Sequence, residues 1–295
     1  MLKGIVKTVR LLLRAWRMAH KRVDVLMRPF AGDVLKRLAV ERESPRVRTL
    51  ILGSSHAYSG YLAGPGEFNL ALRSCDLYHA WALHEQLLRR RWCPQLQDVV
   101  LFYDVFSPGF VMEKTSRGSL AIPYFHLWGI PHQAPLALDH RAVDRRVGEA
   151  LKVALATVRV PDGYLGNQTH EPPKKTPELQ HRLFRHLQHN RRPEGQTRYV
   201  EKLATRCREL GRRLAVVLPP VRADYAERLP AEDVFAEVRA LASRLGFRLL
   251  DLTRAPEFGD GDFLDSDHLS RSGAEKLTRR LRRELGLKTG VDSGT

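Results

Sequence analysis

Short, continuous apolar runs alternate along this chain with stretches of helical periodicity. Residues 50–52, 67–71, 99–103, 214–218 and 247–252 are rich in β-branched, leucine and aromatic side chains and read as five strands. Between and after them, residues 76–91, 197–210, 231–245 and 272–285 carry apolar side chains at helical spacing. Gly211 and Gly246 stand where the second and third of these helices should stop. A strand that is apolar on both faces needs cover on both faces, so the pattern predicts a parallel sheet between helical layers. Such sheets bind ligands beyond the C-terminal ends of their strands. Ser55, Ser107 and Pro219 each follow a predicted strand there.

Two stretches break the rhythm. Residues 110–195 hold a cluster of prolines and read as an insertion with helices over 139–158 and 177–190, of the kind that shapes a lid or substrate groove. Residues 2–27 read as a helix that Arg28-Pro29 ends. Lys3, Lys7, Arg10, Arg14, Arg17 and Lys21 recur at steps of four and three and stack on one face. Ile5, Val9, Leu12, Leu13, Trp16, Val23 and Met27 fill much of the rest. A basic stripe beside an apolar stripe with tryptophan fits a helix lying in a membrane interface. It also fits a helix packed on its own domain with a solvated basic face. The expected organisation is a basic helical segment over 1–47, an α/β domain over 48–286 that carries the insertion, and a flexible tail over 287–295.

Charge sharpens that picture. The 295 residues carry a formal net charge of +16. Residues 1–48 hold thirteen Lys/Arg and four Asp/Glu, so nine of the excess positive charges fall in about a sixth of the chain. An anionic surface is therefore a candidate partner through residues 2–27. No nucleic-acid motif accompanies the charge, and no nucleic acid is expected. Cys75, Cys93 and Cys207 form no CxxC pair, which speaks against a disulfide scaffold and against a cysteine zinc site. A reducing cytoplasm is the expected setting, with peripheral attachment at the inner membrane face if residues 2–27 dock there. No apolar run approaches the roughly 20 residues of a membrane span. Basic residues interrupt every candidate signal-peptide core near the start.

Candidate chemistry sits in two segments. Gly53-Ser54-Ser55-His56 follows the first strand and offers a hydroxyl at the sheet edge, beside backbone N–H groups. A serine needs a base, and Asp265-Ser266-Asp267-His268 near the C-terminus supplies one. The three-residue step lets Asp265 reach the Nδ1 side of His268 and leaves Nε2 for Ser55. Against that reading, Asp267 or Ser270 caps the last helix and His268 is a loop residue. His56 is a rival base, although its adjacency to Ser55 should point it away. His181, His186 and His189 read as parts of a solvated helix, since His181 lies off the face that the other two share. His126 and His132 lack a carboxylate at ligand spacing. No metal and no cofactor are expected. Gly64-Pro65-Gly66 is a turn, because no Gly-Lys-Ser/Thr follows it.

GSSH after the first strand, FNLALRS after it, and DSDHLSRSGAEKL near the end resemble the SGNH/GDSL hydrolase superfamily. The resemblance covers roughly 48–109 and 197–286. It implies a flavodoxin-like three-layer α/β/α fold with a parallel sheet. It also implies Ser55 as nucleophile, Asp265 as orienter and His268 as base. The family's second block often reads Asn-x-Gly-x-x-Gly. Here Ser74 takes the place of the glycine whose N–H helps bind the oxyanion. The third block normally has Gly-x-Asn-Asp, but here the strand runs into Asp104-Val105-Phe106-Ser107 and that asparagine is missing. Asn69, Ser74 and Ser54 are then the candidates for oxyanion or substrate contacts. The segment 197–221 is similar to SGNH-like proteins of surface-glycan gene clusters. The expected function is a serine ester hydrolase or O-acyltransferase acting on an acylated small molecule or glycan. The alternatives are a catalytically inactive SGNH-like binding module in glycan assembly at the membrane, and an anion- or nucleic-acid-binding protein.

Overall fold

The computed structural model describes residues 31–133, 141–160, 178–192 and 194–287. The basic helix expected over 2–27 and nearly all of the tail expected over 287–295 lie outside the described residues. In chain order, α1 (Ala31–Glu43) precedes β1 (Thr49–Leu52), and α2 (Ser55–Gly60) follows two residues later. Then come β2 (Glu67–Asn69), α3 (Leu77–Arg89) and β3 (Asp98–Phe102). The next helices are α4 (Ala121–Trp128), α5 (Arg141–Thr157), α6 (Leu179–Asn190) and α7 (Arg198–Glu209). After β4 (Arg213–Leu218), α8 (Ala223–Ala226) and α9 (Ala236–Leu245) lead to β5 (Arg248–Asp251). Helix α10 (Arg271–Leu285) closes the described fold.

The described residues divide into two compact units: one from residues up to 42 and 112–164, the other from 43–111 and from 165 onward. The insertion expected over 110–195 is therefore split, since α6 belongs with the sheet. In the first unit, Arg37 of α1 donates from Nε to Leu127 O (3.1 Å) and lies over the Trp128 ring. Gly148 of α5 lies so close to the His126 ring that a Cβ there would meet it at 2.6 Å.

All five strands of the second unit are parallel, in the order β2-β1-β3-β4-β5. This is the flavodoxin-like order, and it reverses between β1 and β3, where a crevice opens beyond the strand ends. One face buries Ile51, Val100, Phe102 and Val217 against Ala57, Tyr58 and Tyr61 of the α2 region and Leu277 and Leu281 of α10. Buried Glu67 accepts both Nε (2.9 Å) and Nη2 (2.6 Å) of Arg282, which fixes α10 beside β2. On the other side α3 packs on α7, and α7 on α9 and β4. Asp76 starts α3 by accepting from His79 N at 2.9 Å. Helix α9 begins at Ala236, later than the periodicity implies, because Asp233 accepts from Phe235 N and forms a turn there.

Two glycines let the chain close around the crevice. Gly53 has φ 140°, and a Cβ on it would lie 2.9 Å from Phe102 Cβ and 3.1 Å from Ala57 Cβ. The turn from β1 into α2 therefore runs tight against β3. At Gly109 an added Cβ would fall 2.0 Å from His189 O. That approach, with Asn190 Nδ2 donating to Val105 O (2.6 Å) and Val234 O (3.2 Å), staples the end of α6 to the loops after β3 and before α9. Gly53→Ala should cost about 1–3 kcal/mol in urea unfolding, from the strained φ and the contact with Phe102. An unchanged unfolding midpoint would show that the turn does not need its glycine.

Candidate active site

Ser55 is the first residue of α2, just beyond the C-terminal end of β1. Ser54 is the N-cap and accepts from His56 N at 3.4 Å. The second segment is a tight loop closed by the Phe263–Leu269 bridge and by Leu264 N donating to His268 O at 2.8 Å. Inside it, Asp265 Oδ1 accepts from the backbone N–H of Asp267 (3.0 Å) and of His268 (2.7 Å). An aspartate that organises its own turn in this way is held at one orientation. His268 Nδ1 then lies 3.0 Å from Asp265 Oδ2, and Nε2 lies 2.9 Å from Ser55 Oγ. Ser270, not Asp267, caps α10, accepting from Gly273 N.

Around these three residues lies a buried polar cluster that the sequence did not reveal. His56 stacks on His268, with ring centroids 4.5 Å apart and planes 17° apart. Its Nδ1 is 2.8 Å from Asp104 Oδ1 and its Nε2 is 3.0 Å from Asp267 Oδ2. Asp104 follows β3, so the β1–β3 crevice brings it to Ser54, whose hydroxyl donates to Asp104 Oδ2 at 2.5 Å. Helix α6 adds Arg182, which bonds Asp265 Oδ2 at 3.0 Å and also Asp267. One turn on, His186 shares Nδ1 with the Tyr225 hydroxyl at 2.8 Å. The solvated helix expected over 177–190 is thus buried on this face. Arg182 and His186 stand four apart and project the same way, a spacing in the sequence that pointed to a shared face without saying what it met.

The candidate oxyanion residues divide. Asn69 is no donor to a substrate. Its Nδ2 donates to Ala57 O and Tyr61 O, both at 2.8 Å, and its Oδ1 accepts from Ala71 N. It ties β2 to the α2 region instead. The Ser54 hydroxyl is likewise committed to Asp104. Ser74 has φ 56°, a left-handed conformation in which the family's glycine is at home. His56, the rival base, has both ring nitrogens against carboxylates and neither toward Ser55.

The sheet order, the serine turn after β1 and the histidine loop after β5 together decide the architecture. The fold is a flavodoxin-like α/β/α arrangement around a parallel sheet. No family model and no curated protein matches the chain. Among solved structures it is similar to a protein from Desulfitobacterium hafniense assigned to the G-D-S-L family of lipolytic proteins. The identity is 10% and the TM-score 0.37, over 80% of this chain and 98% of that one. Strand order and loop placement, and not so faint a likeness, define the fold.

Electrostatics set the protonation of this cluster. Burial pulls the His56 pKa down, but Asp104 and Asp267 outweigh it and raise the value to about 10. Geometry agrees, since each ring nitrogen lies within 3.0 Å of a carboxylate oxygen. Burial also opposes charge on Asp267, yet the two histidines beside it hold it well below the usual carboxylate range. Asp265 is lowered too, against its burial, by its bond to His268. His268 is raised above 6.5: burial lowers it, and Asp267 and Asp265 more than compensate. His186 is pushed down to about 4, mainly by burial, and stays neutral. Ligand atoms of His56, Asp267 and His268 lie within 4.8 Å of one another. Arg182 already bonds Asp267 and lies 2.9 Å from His268 Nδ1, so a cation is in place at this donor set.

The His56 shift has a consequence for stability. Its folded pKa of about 10 exceeds the ordinary 6.5, so its contribution is complete below pH 6.5 and is lost as pH rises toward 10. The thermal midpoint should fall between pH 7 and pH 10. His56→Gln should cost about 3–5 kcal/mol at pH 7, by leaving buried carboxylates unpaired, and should flatten that fall. A wild-type midpoint that stays level from pH 7 to 10 would contradict a charged His56.

Proposed function

We propose that the protein is a serine ester hydrolase or O-acyltransferase in which Ser55 is the nucleophile, His268 the base and Asp265 its orienter. The observation that carries this reading is the 2.9 Å contact between His268 Nε2 and Ser55 Oγ, with Nδ1 held by Asp265. His268 takes the Ser55 proton as Oγ attacks the acyl carbon. The tetrahedral intermediate collapses, and the leaving alcohol takes that proton from His268. Water, or the hydroxyl of an acceptor, then gives its proton to His268 and attacks the acyl-enzyme. Ser55 leaves and recovers a proton. Hydrolysis and transfer differ only in that second nucleophile.

Oxyanion stabilisation falls to backbone N–H groups in this reading. The first N–H groups of a helix have no partner within it, and Ser55 opens α2. An O-acylated carbohydrate is the substrate class we favour, from the resemblance over 197–221. The basic, tryptophan-bearing pattern of residues 2–27 supports work beside an anionic membrane surface, at its cytoplasmic face. Among the described residues no helix is long and apolar enough to cross a membrane.

A binding module without turnover is the second reading. It is favoured by the missing asparagine of the third block and by the full use of the Asn69 amide elsewhere. A fluorophosphonate, which captures activated serines covalently, separates the two. Peptide mass spectrometry should find the label on Ser55. Ser55→Ala should abolish labelling without loss of fold. His268→Ala should slow it by about a hundredfold or more, the usual weight of a general base. A folded wild-type protein that takes no label would favour the binding module.

A further inference from the structure

Three carboxylates surround His268: Asp265 in contact with it, Asp267 3.5 Å from its Nδ1, and Asp104 on the far side of His56. Facing them are two cations. His56 comes from α2, and Arg182 comes from α6, outside the segments that carry the family resemblance. Arg222, at the start of α8, also lies near enough to Asp265 to feel its charge, but its guanidinium is paired with Asp224, so that pair adds no net charge. His186 on α6 and the Tyr225 hydroxyl on α8 are neutral and bond one another. Tyr225 is held protonated by burial and by the nearby carboxylates.

With His268 neutral, three negative and two positive charges leave this buried cluster at minus one. When His268 takes a proton, the cluster reaches zero. Without Arg182 the balance would be minus two, which favours the imidazolium form of His268, and an imidazolium cannot accept a proton from serine. Arg182 also meets His268 directly. Its Nη1 is 2.9 Å from Nδ1, and because each carries N–H in this state, both must turn their hydrogens to carboxylates. Asp265 Oδ2 is the shared acceptor, 3.0 Å from each.

We propose that Arg182 is a positioning residue for the Ser55–His268–Asp265 set: divided between Asp265 and Asp267, its guanidinium lets those carboxylates orient His268 without trapping a proton on it. This rests on the reading of His268 as a base. It gives the inserted segment a part in the chemistry beyond any shaping of a groove, because α6 delivers the cation. It also explains why the close approach at Gly109 and the Asn190 staple matter, since they hold α6 over the cluster.

The test is an NMR titration of the histidine ring protons in the full chain, with the His268 signal assigned by its loss in His268→Gln. Arg182→Gln should raise the His268 midpoint by about one pH unit or more, the effect of removing a cation within contact distance. Arg182→Lys keeps the charge as a point ammonium and should shift it by less than half as much, about 0.5 unit at most. Equal shifts in the two variants, or an unmoved midpoint in Arg182→Gln, would overturn the proposal. Should Arg182→Gln fail to fold, the wild type decides, because the charge count requires His56 to stay protonated well past neutrality. A His56 that loses its proton below about pH 8, far under its raised value, would end the account. Fluorophosphonate labelling of the same samples keeps the two ideas apart. The expected titrations without label on Ser55 would remove the hydrolase reading and leave the charge balance standing.

Discussion

Asp267 is enclosed by His56, Arg182 and His268, with almost no access to water. A lone carboxylate in such a place would cost several kcal/mol, so its cations are a condition of the fold as well as of any chemistry. The same holds for Asp104, which takes the Ser54 hydroxyl on one oxygen and His56 on the other. These demands link four parts of the chain that are far apart in sequence: the turn after β1, the end of β3, helix α6 and the loop after β5. Ser55 occupies its place because its neighbours on both sides are committed to this cluster. Ser54 caps α2 and bonds Asp104, while His56 bridges Asp104 and Asp267. That leaves the hydroxyl between them to meet His268.

The sheet makes the arrangement possible. Its order reverses between β1 and β3, so the chain leaves those two neighbouring strands in different directions and opens a crevice. Gly53 crosses that crevice where no side chain fits. Asn69, expected to face a substrate, instead satisfies two carbonyls of the α2 region and keeps the serine turn in place. Its role is to support the site from behind.

Strands β1, β3 and β4 were legible because each is built on a continuous apolar run, whereas β2 (Glu67–Asn69) and β5 (Arg248–Asp251) are short and partly polar. Ser55, Asp265 and His268 stood out because their order and spacing allow the contacts that the fold makes between them. Other parts were not. Helix α2 is too short for periodicity, and Ser-His-Ala-Tyr-Ser-Gly reads as a turn. Helix α4 carries Pro123 in its first turn, a position that tolerates proline but masks the pattern. Asp267 resembles an ordinary helix cap from its position before Ser270, and only the fold reveals that it is buried between histidines. Arg182 lies on a helix so rich in basic and polar side chains that its sequence implies solvent. What reverses that is a long-range contact, which no local pattern encodes.

The central claim is that a histidine held in this charged setting activates Ser55. The most direct measurement is the pH dependence of the rate at which a fluorophosphonate modifies wild-type Ser55. In the proposed mechanism neutral His268 is the active form, and its pKa is raised above 6.5. The rate should therefore climb with pH as a single proton is lost, with a midpoint on the alkaline side of an ordinary histidine. A rate that is flat across that range, or that rises with a midpoint below 6.5, would contradict the account.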